Sequence, residues 1–582
     1  MKLSITDAFH AINARWMSLP ASVRQLVMLS LLGIFTGLVA VAFHLTSEWI
    51  AEHTIQALSD ATTAKFIVGT LASVVLGSLL ATWLVRQFAP QAGGGGVLPA
   101  KLCFWKDFGV MPLRVAVVKF FASALTMGSG VSMGPEGPAV QIGAASLSSA
   151  AGFLGVAKQR RRIFSAAGSA AALAAIFNAP LTAITFVLEE IVGDLNSRLL
   201  GGILLAAVMG ALVAHALVGA QPAFQVTALM EPGWRGVLLC PLVALVAAVA
   251  GIGFHKGTLA AQLRFRGTGW LPTWAHPATG ALGTWVLGGA AFLITGHLGV
   301  FGIGYADITA CIDGRMAWNV ALILGVAKLG ATVLAVGSGG CGGIFAPNLF
   351  LGAMCGGFIA ALAALFMPLT HSDQAMLVMC GMCACLGAVI RTPITCILLI
   401  FEVTHQFVIV PLLLLSTLVS QIVSRRMAHE GIYEEMLRQN GEDPHHVLPP
   451  RDYKRWRELP AGAITTYQPV VIESLEKERL QKLIASDSHE RFPVRGADGK
   501  ITGILTRQEA SDALAAGRTP RLAEALWISP NDPVSKAQKL LVESPVNFIC
   551  VGDYRKNALG GVLTLHDLLR GQEGLAEDEE AI

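Results

Sequence analysis

The chain reads as an all-α polytopic membrane protein built from internal repeats and followed by a soluble α+β tail. Three observations lead there: an apolar composition, hydrophobic segments that recur from about residue 25 to about residue 424, and two pairs of self-similar motifs. Of 582 residues, 54% are hydrophobic and only 14% charged, against roughly 25% charged in a soluble domain. The formal net charge of +3 is small for this length. No long basic, aromatic-interleaved stretch accompanies it, so nucleic acid is excluded as a partner. The ten cysteines lie mainly in apolar runs such as Met379–Cys385, where a free thiol behaves as a small hydrophobe. The Cys380-x-x-Cys383 spacing has no histidine partner at zinc distance in sequence, so no metal or other cofactor is implied.

In chain order, a mixed polar arm over residues 1–24, with Arg15 and Arg24, precedes the first strong apolar run from Val27 to Phe43. That order reads as a retained cytoplasmic arm and first helix, not a cleaved signal. Runs such as Leu199–Val218 and Leu238–Phe254 are long enough to cross ~30 Å of hydrocarbon. Ala139–Phe153 and Pro393–Phe401 are too short, and Gly and Pro bound them. They read as half-helices that end at mid-membrane, where freed backbone groups must line a polar cavity. Lys158, Arg160, Arg161 and Arg162 fill a short loop and Arg425-Arg426 follows the last run, which places both on the cytoplasmic side.

The repeats are specific. Phe177-Asn-Ala-Pro180-Leu-Thr182-Ala-Ile184 through Glu189 matches Ile390-Arg-Thr-Pro393-Ile-Thr395-Cys-Ile397 through Glu402. Gly134-Pro-Glu136-Gly-Pro138 through Gly143 pairs with Gly343-Ile-Phe345-Ala-Pro347 through Gly352 at nearly the same offset. Two halves, roughly 25–220 and 236–437, therefore build the membrane domain, and such repeats place a substrate site at their interface. A polar linker over 438–460 leads to a soluble domain with a repeat of its own. There, Phe492-Pro-Val and Gly503-Ile-Leu-Thr506 return as Phe548-Ile-Cys and Gly561-Val-Leu-Thr564, dividing the tail into 461–515 and 520–571. Residues 572–582 form a solvated acidic end.

Glycine-rich stretches precede apolar helical runs at Gly93–Gly96, at Gly134–Pro138 and at Gly337–Pro347. Glycine admits close approach of a ligand to the backbone, and amides at a helix start carry about half a positive charge. Several such starts converging would hold an anion; the competing reading is close helix packing. A phosphate loop is excluded because no Gly-Lys-Ser/Thr ends any of the stretches. Glu136 is the sharpest single residue. An ionisable group at bilayer depth costs a few kcal/mol, about 3 on insertion scales, so it faces a cavity and serves a pathway. At a helix start it competes with an anion for the same amides when ionised and leaves when protonated. Glu189 and Glu190 read either as proton-pathway groups or as an interfacial helix-end pair. Lys119 and Arg391 read as buried cations that balance carboxylates or raise the potential felt by an anion.

Gly-x-Glu-Gly-Pro at Gly134–Pro138, Gly-Ile-Phe-Ala-Pro at Gly343–Pro347, and the Glu-Glu pair after Phe-Asn-Ala-Pro resemble the CLC chloride channel and transporter family. The similarity runs from about Gln25 to Leu437, and the tail resembles the paired CBS domains of many members. The resemblance implies a CLC fold of two inverted repeats, a homodimer with a separate anion pathway in each subunit, and a place in a bacterial inner membrane with arm and tail cytoplasmic. It implies that Glu136 is the external gating glutamate and Glu190 the internal proton-transfer glutamate. Gly95, Gly96, Ile344, Phe345 and Tyr433 fall at the anion-binding positions, with chloride as the transported ligand. Family channels usually lack an acid at the position of Glu190, so exchange of chloride for protons is favoured over a passive gated channel. A CBS-regulated divalent-cation transporter would need clustered pore acids, and a membrane-embedded enzyme would need a catalytic set that the apolar segments do not contain.

Two departures from the family pattern matter. The central serine of the family is Gly95 here, which removes a hydroxyl donor and weakens the discrimination of chloride from nitrate. The arginine before the gating glutamate is Pro135. In the tail, Thr564 and Asp567 match the Thr-x-x-Asp pattern with which CBS domains often hold a nucleotide ribose, so an adenine nucleotide is the possible ligand there; the first copy has Thr506 and Glu509.

Overall fold

The computed structural model describes residues 21–195, 199–219, 224, 226, 230–267, 269, 271–442, 459–554 and 558–570. Most of the expected N-terminal arm, most of the linker and the acidic end lie outside the described residues. The chain divides into two compact units, Met1–Leu448 and Pro449–Ile582.

Among the described residues, the long elements of the first unit are all helices. Its first half contains α1 (Ala21–Ala51), α2 (Thr63–Phe88), α3 (Val97–Lys106), α4 (Leu113–Gly128), α5 (Glu136–Phe153), α6 (Arg161–Phe177), α7 (Pro180–Phe186) and α8 (Leu200–Leu217). Its second half contains α9 (Trp234–Arg266), α10 (His276–Thr295), α11 (Tyr305–Ile312), α12 (Trp318–Gly337), α13 (Phe345–Ala364), α14 (His371–Ile390), α15 (Pro393–Thr404), α16 (Val410–Met427) and α17 (Ile432–Gln439). Nine helical spans among the described residues are long and apolar enough to cross a bilayer. The first outruns its hydropathy signal, covering 31 residues instead of the apolar run Val27–Phe43. At 1.5 Å per residue it exceeds the thickness of the hydrocarbon, so its polar ends continue the helix beyond the apolar stretch. The short elements are short for the expected reason: α15 has 12 residues and opens on Pro393. Helix α5 starts three residues before the expected Ala139, at Glu136 itself. Pro138 does not prevent this, because a first-turn proline lacks an N–H that had no helical partner anyway.

Packing repeats with the sequence. Helix α5 packs on α6 as α13 packs on α14, α6 on α8 as α14 on α16, and α2 on α4 as α10 on α12. The α5–α6 crossing is so close that a Cβ on Gly143 would stand 2.1 Å from the Gly168 carbonyl oxygen. At the matching crossing, a Cβ on Gly352 would stand 2.3 Å from that of Gly381. Only glycine permits such backbone contact, the membrane counterpart of a tight core. Helices α6 and α14 both end on a left-handed non-glycine residue, Asn178 at φ 55° and Arg391 at φ 56°. This turns the chain sharply into the short helices α7 and α15.

The two halves then hold each other reciprocally. The Glu402 carboxylate accepts from the Leu181 and Thr182 amides, at 2.9 and 2.7 Å, and from the Thr182 hydroxyl at 2.6 Å. Glu189 accepts from the Ile394 and Thr395 amides, at 3.3 and 2.9 Å, and from the Thr395 hydroxyl at 2.6 Å. Each half thus caps the other's short helix, satisfying amides that have no partner inside the helix. Exchange of identical contacts is what a two-fold relation between repeats produces.

The second unit is α+β. Strands β1 (Thr466–Tyr467), β4 (Leu526–Ile528), β5 (Phe548–Asp553) and β6 (Ala558–Thr564) form a sheet in the order β1-β6-β5-β4, and β2 (Arg491–Arg495) pairs with β3 (Ile501–Thr506). β4 runs parallel to β5, β5 antiparallel to β6 and β6 antiparallel to β1. The β2–β3 pair is flanked in the same senses, by a parallel bridge Ile472–Val494 and an antiparallel bridge Ile504–Ala523. Two copies of one motif therefore share the unit, each adding a short edge segment to its strand pair, with separate cores around Phe492 and Leu505 and around Ile549 and Leu563.

Candidate anion and proton site

The site is built from helix starts. Gly134 and Gly343, at matched repeat positions, form an antiparallel bridge in which each amide donates to the other's carbonyl, at 2.9 and 2.6 Å. This ties the start of α5 to the start of α13. The start of α3 lies against both. A Cβ on Gly137 would meet the Gly95 carbonyl oxygen at 2.2 Å, and one on Gly96 (φ +98°) would meet the Gly137 oxygen at 2.3 Å. Three separate stretches of chain therefore converge, and the unpaired amides at their ends give a region of positive potential in a low-dielectric interior.

Glu136, fully buried as the first residue of α5, sends its carboxylate across the repeat boundary. Oε2 lies 3.5 Å from the Ala346 amide in the first turn of α13, and Oε1 lies 3.4 Å from the Tyr305 hydroxyl at the start of α11. The side chain thus occupies the gathering point of the helix starts. Ile344 and Phe345 flank that point. The Phe345 ring packs edge-on to Phe186 at 5.0 Å and tilts against Phe177 at 6.5 Å. Tyr433 is buried on α17 within electrostatic range of both Glu136 and Glu190.

Glu190 stands in a π-helical turn, Val187–Val192, that continues α7. The widened turn lets neighbouring carboxylates take different directions, a frequent feature of functional sites. Glu189 faces α15 as a cap, and Glu190 accepts from the Lys101 ammonium at 2.7 Å, with both side chains nearly inaccessible. Lys101 lies on α3, four residues and about 6 Å of helix rise beyond Val97. One helix therefore links the anion cradle to the Glu190 ion pair.

The structure gives the buried cations and Glu189 their partners. Lys119 does not balance a carboxylate: its ammonium donates to the carbonyls of Ala92, at 3.1 Å, and Gly94, holding the glycine stretch that precedes α3. Arg391 donates to the carbonyls of Ser424, Ala428 and His429, at 2.9, 2.8 and 2.7 Å, capping the end of α16, and it also lies within electrostatic range of Glu434, Glu435 and Glu430, as a cation balancing carboxylates does. Both cations find their hydrogen bonds on orphan carbonyls at loop and helix ends. Of the paired readings of Glu189, the structure selects the structural one.

Sequence reasoning missed Tyr305 and Lys328. Lys328 stands at the same repeat offset from Lys119 as Gly343 does from Gly134. It donates to the carbonyls of Gly299, at 2.9 Å, and Gly302, at 2.6 Å, as Lys119 does to its own loop. The stretch Gly299-Val-Phe-Gly302-Ile-Gly304 is thus the second half's counterpart of Gly93–Gly96, and Tyr305 is the counterpart of Val97, each opening a helix directly after a glycine at positive φ. The established offset lays Gly93–Gly96 over Gly302–Tyr305 and so comes within one residue of that match.

The tail pair occupies a helix start. The Thr564 hydroxyl donates to Asp567 at 2.6 Å, the Thr564 amide donates to the same oxygen at 2.9 Å, and the Thr466 hydroxyl donates to the other at 2.8 Å. Both carboxylate oxygens are engaged inside the unit. In the first copy, Thr506 accepts from the Glu509 amide at 3.2 Å, while the Glu509 carboxylate turns to Arg518 and the Arg521 amide, at 2.5 and 2.8 Å.

A family model described as voltage gated chloride channel matches residues 77–425. The chain belongs to the CLC family. It is 30% identical over 435 residues to the "H(+)/Cl(-) exchange transporter ClcA" of Salmonella paratyphi A (strain ATCC 9150 / SARB42), covering 71% of this chain and 88% of that protein. The Vibrio campbellii (strain ATCC BAA-1116) protein of the same name is 30% identical over 426 residues, covering 72% and 90%. Two solved structures share the fold. A slow cyanobacterial Cl-/H+ antiporter has a TM-score of 0.65 at 24% identity, over 73% of this chain and 99% of the other. A eukaryotic CLC transporter has a TM-score of 0.61 at 21% identity, over 94% and 98%. The all-helical polytopic CLC architecture expected from the sequence is therefore the fold of this chain, a multi-pass membrane protein with an α+β C-terminal region.

Proposed function

We propose that this CLC protein exchanges chloride for protons across the bacterial inner membrane, with Glu136 as the gate through which both pass. The observation that carries the reading is the Glu136 carboxylate lodged between the starts of α5, α11 and α13, within reach of the Ala346 amide. Ionised, it fills the place of an anion; protonated, it loses its attraction to the helix starts and yields that place. The amides around Gly95, Gly96, Ile344 and Phe345, with the Tyr433 hydroxyl, supply the anion's donors. Glu190 passes the proton to and from the cytoplasmic side and shares its carboxylate with Lys101. The exchange activity in the names of the 30% identical ClcA relatives supports this direction over a passive channel. Two copies pair in the membrane, each with its own pathway, and the arm and tail face the cytoplasm on the side of Lys158–Arg162. The C-terminal unit, with its two like motifs, is read as a paired CBS domain, with an adenine nucleotide as its ligand at Thr564 and Asp567.

Reconstituted flux tests the proposal. With a chloride gradient and no proton gradient, the protein drives protons uphill, and Glu136→Gln abolishes proton movement while chloride flux persists. Absence of proton movement in the unaltered protein, or its persistence in Glu190→Gln, overturns the coupling.

A further inference from the structure

The Glu136 carboxylate is suspended between donors on two different helices of the second repeat, α11 and α13, and neither contact is closed. An O–H···O hydrogen bond ordinarily spans about 2.7–2.8 Å, whereas the Tyr305 hydroxyl stands 3.4 Å from Oε1 and the Ala346 amide 3.5 Å from Oε2. A shift of about half an ångström toward either donor tightens one contact and stretches the other. Tyr305 is fixed for this task. It opens α11 directly after Gly304, and its ring meets Phe224 edge-on at 5.2 Å. The loop before it is held through the Gly299 and Gly302 carbonyls by the buried Lys328. Tyr305 also forms part of the wall of an open basin of about 890 Å³, together with Glu48, Glu52, Asp60, His297 and Asp307. At the equivalent place in the first repeat stands Val97, and the neighbouring Gly95 carries no hydroxyl either. The cradle's side-chain hydroxyl on this side comes from the second repeat.

We propose that Tyr305 is a positioning residue for Glu136: its hydroxyl holds the carboxylate in an outward position that frees the Ala346 amide for the anion. The inference rests on the exchange reading above. The Ala346 amide then defines the blocked position, the Tyr305 hydroxyl the open one, and transport requires movement between them. The groups that bear on this carboxyl are its own backbone amide at the start of α5, the Ala346 amide from α13, the Tyr305 hydroxyl from α11, Tyr433 from α17 and, through Tyr305, Glu48 from α1. A hydroxyl donates more strongly to a carboxylate than to a carboxylic acid. Its loss therefore disfavours the ionised outward state in particular.

Tyr305→Phe keeps the ring and its contact with Phe224, so it removes only the donor. In proteoliposomes of the full chain, the variant is expected to need about fivefold more chloride for half-maximal flux, the fold-change of one ordinary hydrogen bond. The pH of half-maximal flux moves upward as well. Both effects disappear when Tyr305→Phe is combined with Glu136→Ala, because no carboxylate remains to be placed. If Tyr305→Phe superimposes on the unaltered protein in chloride and pH dependence while Glu136→Ala removes the pH dependence, the positioning role is wrong and the exchange reading stands. If Tyr305→Phe changes flux equally with and without Glu136, the tyrosine acts on the pore and not on the glutamate, which also overturns the proposal. If Glu136→Ala leaves the pH dependence intact, the gate itself is misassigned and this inference falls with it.

Discussion

The two repeats of the membrane unit carry the same scaffold and different chemistry. Gly143 and Gly168 in one and Gly352 and Gly381 in the other bring helices into backbone contact. Lys119 and Lys328 hold the loops before α3 and α11, and Glu189 and Glu402 cap each other's half. At the positions that face the cradle the halves part. Glu136 is matched by Phe345, Glu190 by Val403, and Val97 by Tyr305. Two-fold architecture supplies helix starts that meet at depth; broken symmetry supplies one carboxylate at that point and one hydroxyl beside it. A symmetric site with a carboxylate from each half would place two like charges on one set of amides, at a cost neither half could offset.

The comparison breaks most severely at the close crossings. Gly143→Val and Gly352→Val each drive a side chain into a carbonyl that stands 2.1 or 2.3 Å from the new Cβ. Each is expected to cost on the order of 3 kcal/mol or more, because backbone cannot yield as a side chain can. Loss of monodisperse protein in detergent chromatography is the readout for both. A variant of either that behaves as the unaltered protein contradicts the matched-crossing reading.

Smaller, and sharper as a test of symmetry, is the exchange of caps. Glu189→Ala and Glu402→Ala each leave two amides and a threonine hydroxyl without their acceptor. The expected destabilisation is about 2 kcal/mol for each, nearly equal between them, seen as matched falls in thermal midpoint. Neither substitution is expected to uncouple protons from chloride. If Glu189→Ala alone stops proton movement, Glu189 belongs to the pathway and the caps are not equivalent.

How much of this was legible in the sequence depends on the range of the interaction. The repeat offset, the short helices and the glycine stretches could be read because they rest on local periodicity and on Pro and Gly, whose conformational effects are nearly independent of context. Gly93–Gly96, Gly134–Pro138 and Gly337–Pro347 are expected to precede helical runs, and α3, α5 and α13 start directly after or within them. The partners of Lys119 and Arg391 were not legible. A buried cation reveals its cost in the sequence but not which oxygen meets it, and loop carbonyls carry no sequence signal. Glu189 and Glu190 are adjacent in sequence and opposite in role, separated only by a π-helical turn that residue type does not announce. Tyr305 escaped because its glycine stretch is interrupted by Val300, Phe301 and Ile303, and the repeat offset aligns it with the first only to within one residue.

Restoring the missing hydroxyl probes the cradle more gently. Gly95→Ser adds a donor where a new Cβ meets nothing closer than the Gly342 carbonyl oxygen at 3.7 Å, so the side chain fits without displacement. One hydrogen bond of about 1 kcal/mol should raise the preference for chloride over nitrate about fivefold in competitive flux assays. An unchanged ratio in a protein that already prefers chloride strongly means that the backbone amides, with Tyr433, set selectivity without help from α3.

The smallest effect belongs to the C-terminal unit, where the two copies differ as the membrane repeats do. Asp567 turns inward to Thr564 and Thr466, while Glu509 at the matching position turns outward. The Arg518 guanidinium, followed by the Arg521 amide, holds the Glu509 carboxyl down at about 2 from an ordinary 4.5. A depressed folded value means that any stability it lends is fully present above the unfolded value, near 4.5, and is lost as pH falls through about 2. Because the pair lies at the surface, solvent and salt screen it, and Arg518→Ala should leave the thermal midpoint at neutral pH nearly unchanged. What should move is the titration itself: the Glu509 carboxyl carbon shift in isotopically labelled protein is expected to titrate nearer 4.5 in the variant. A midpoint that stays near 2 without Arg518 would transfer the cause to the Arg521 amide, making the outward turn of Glu509 a backbone feature of the first copy and not a consequence of its ion pair.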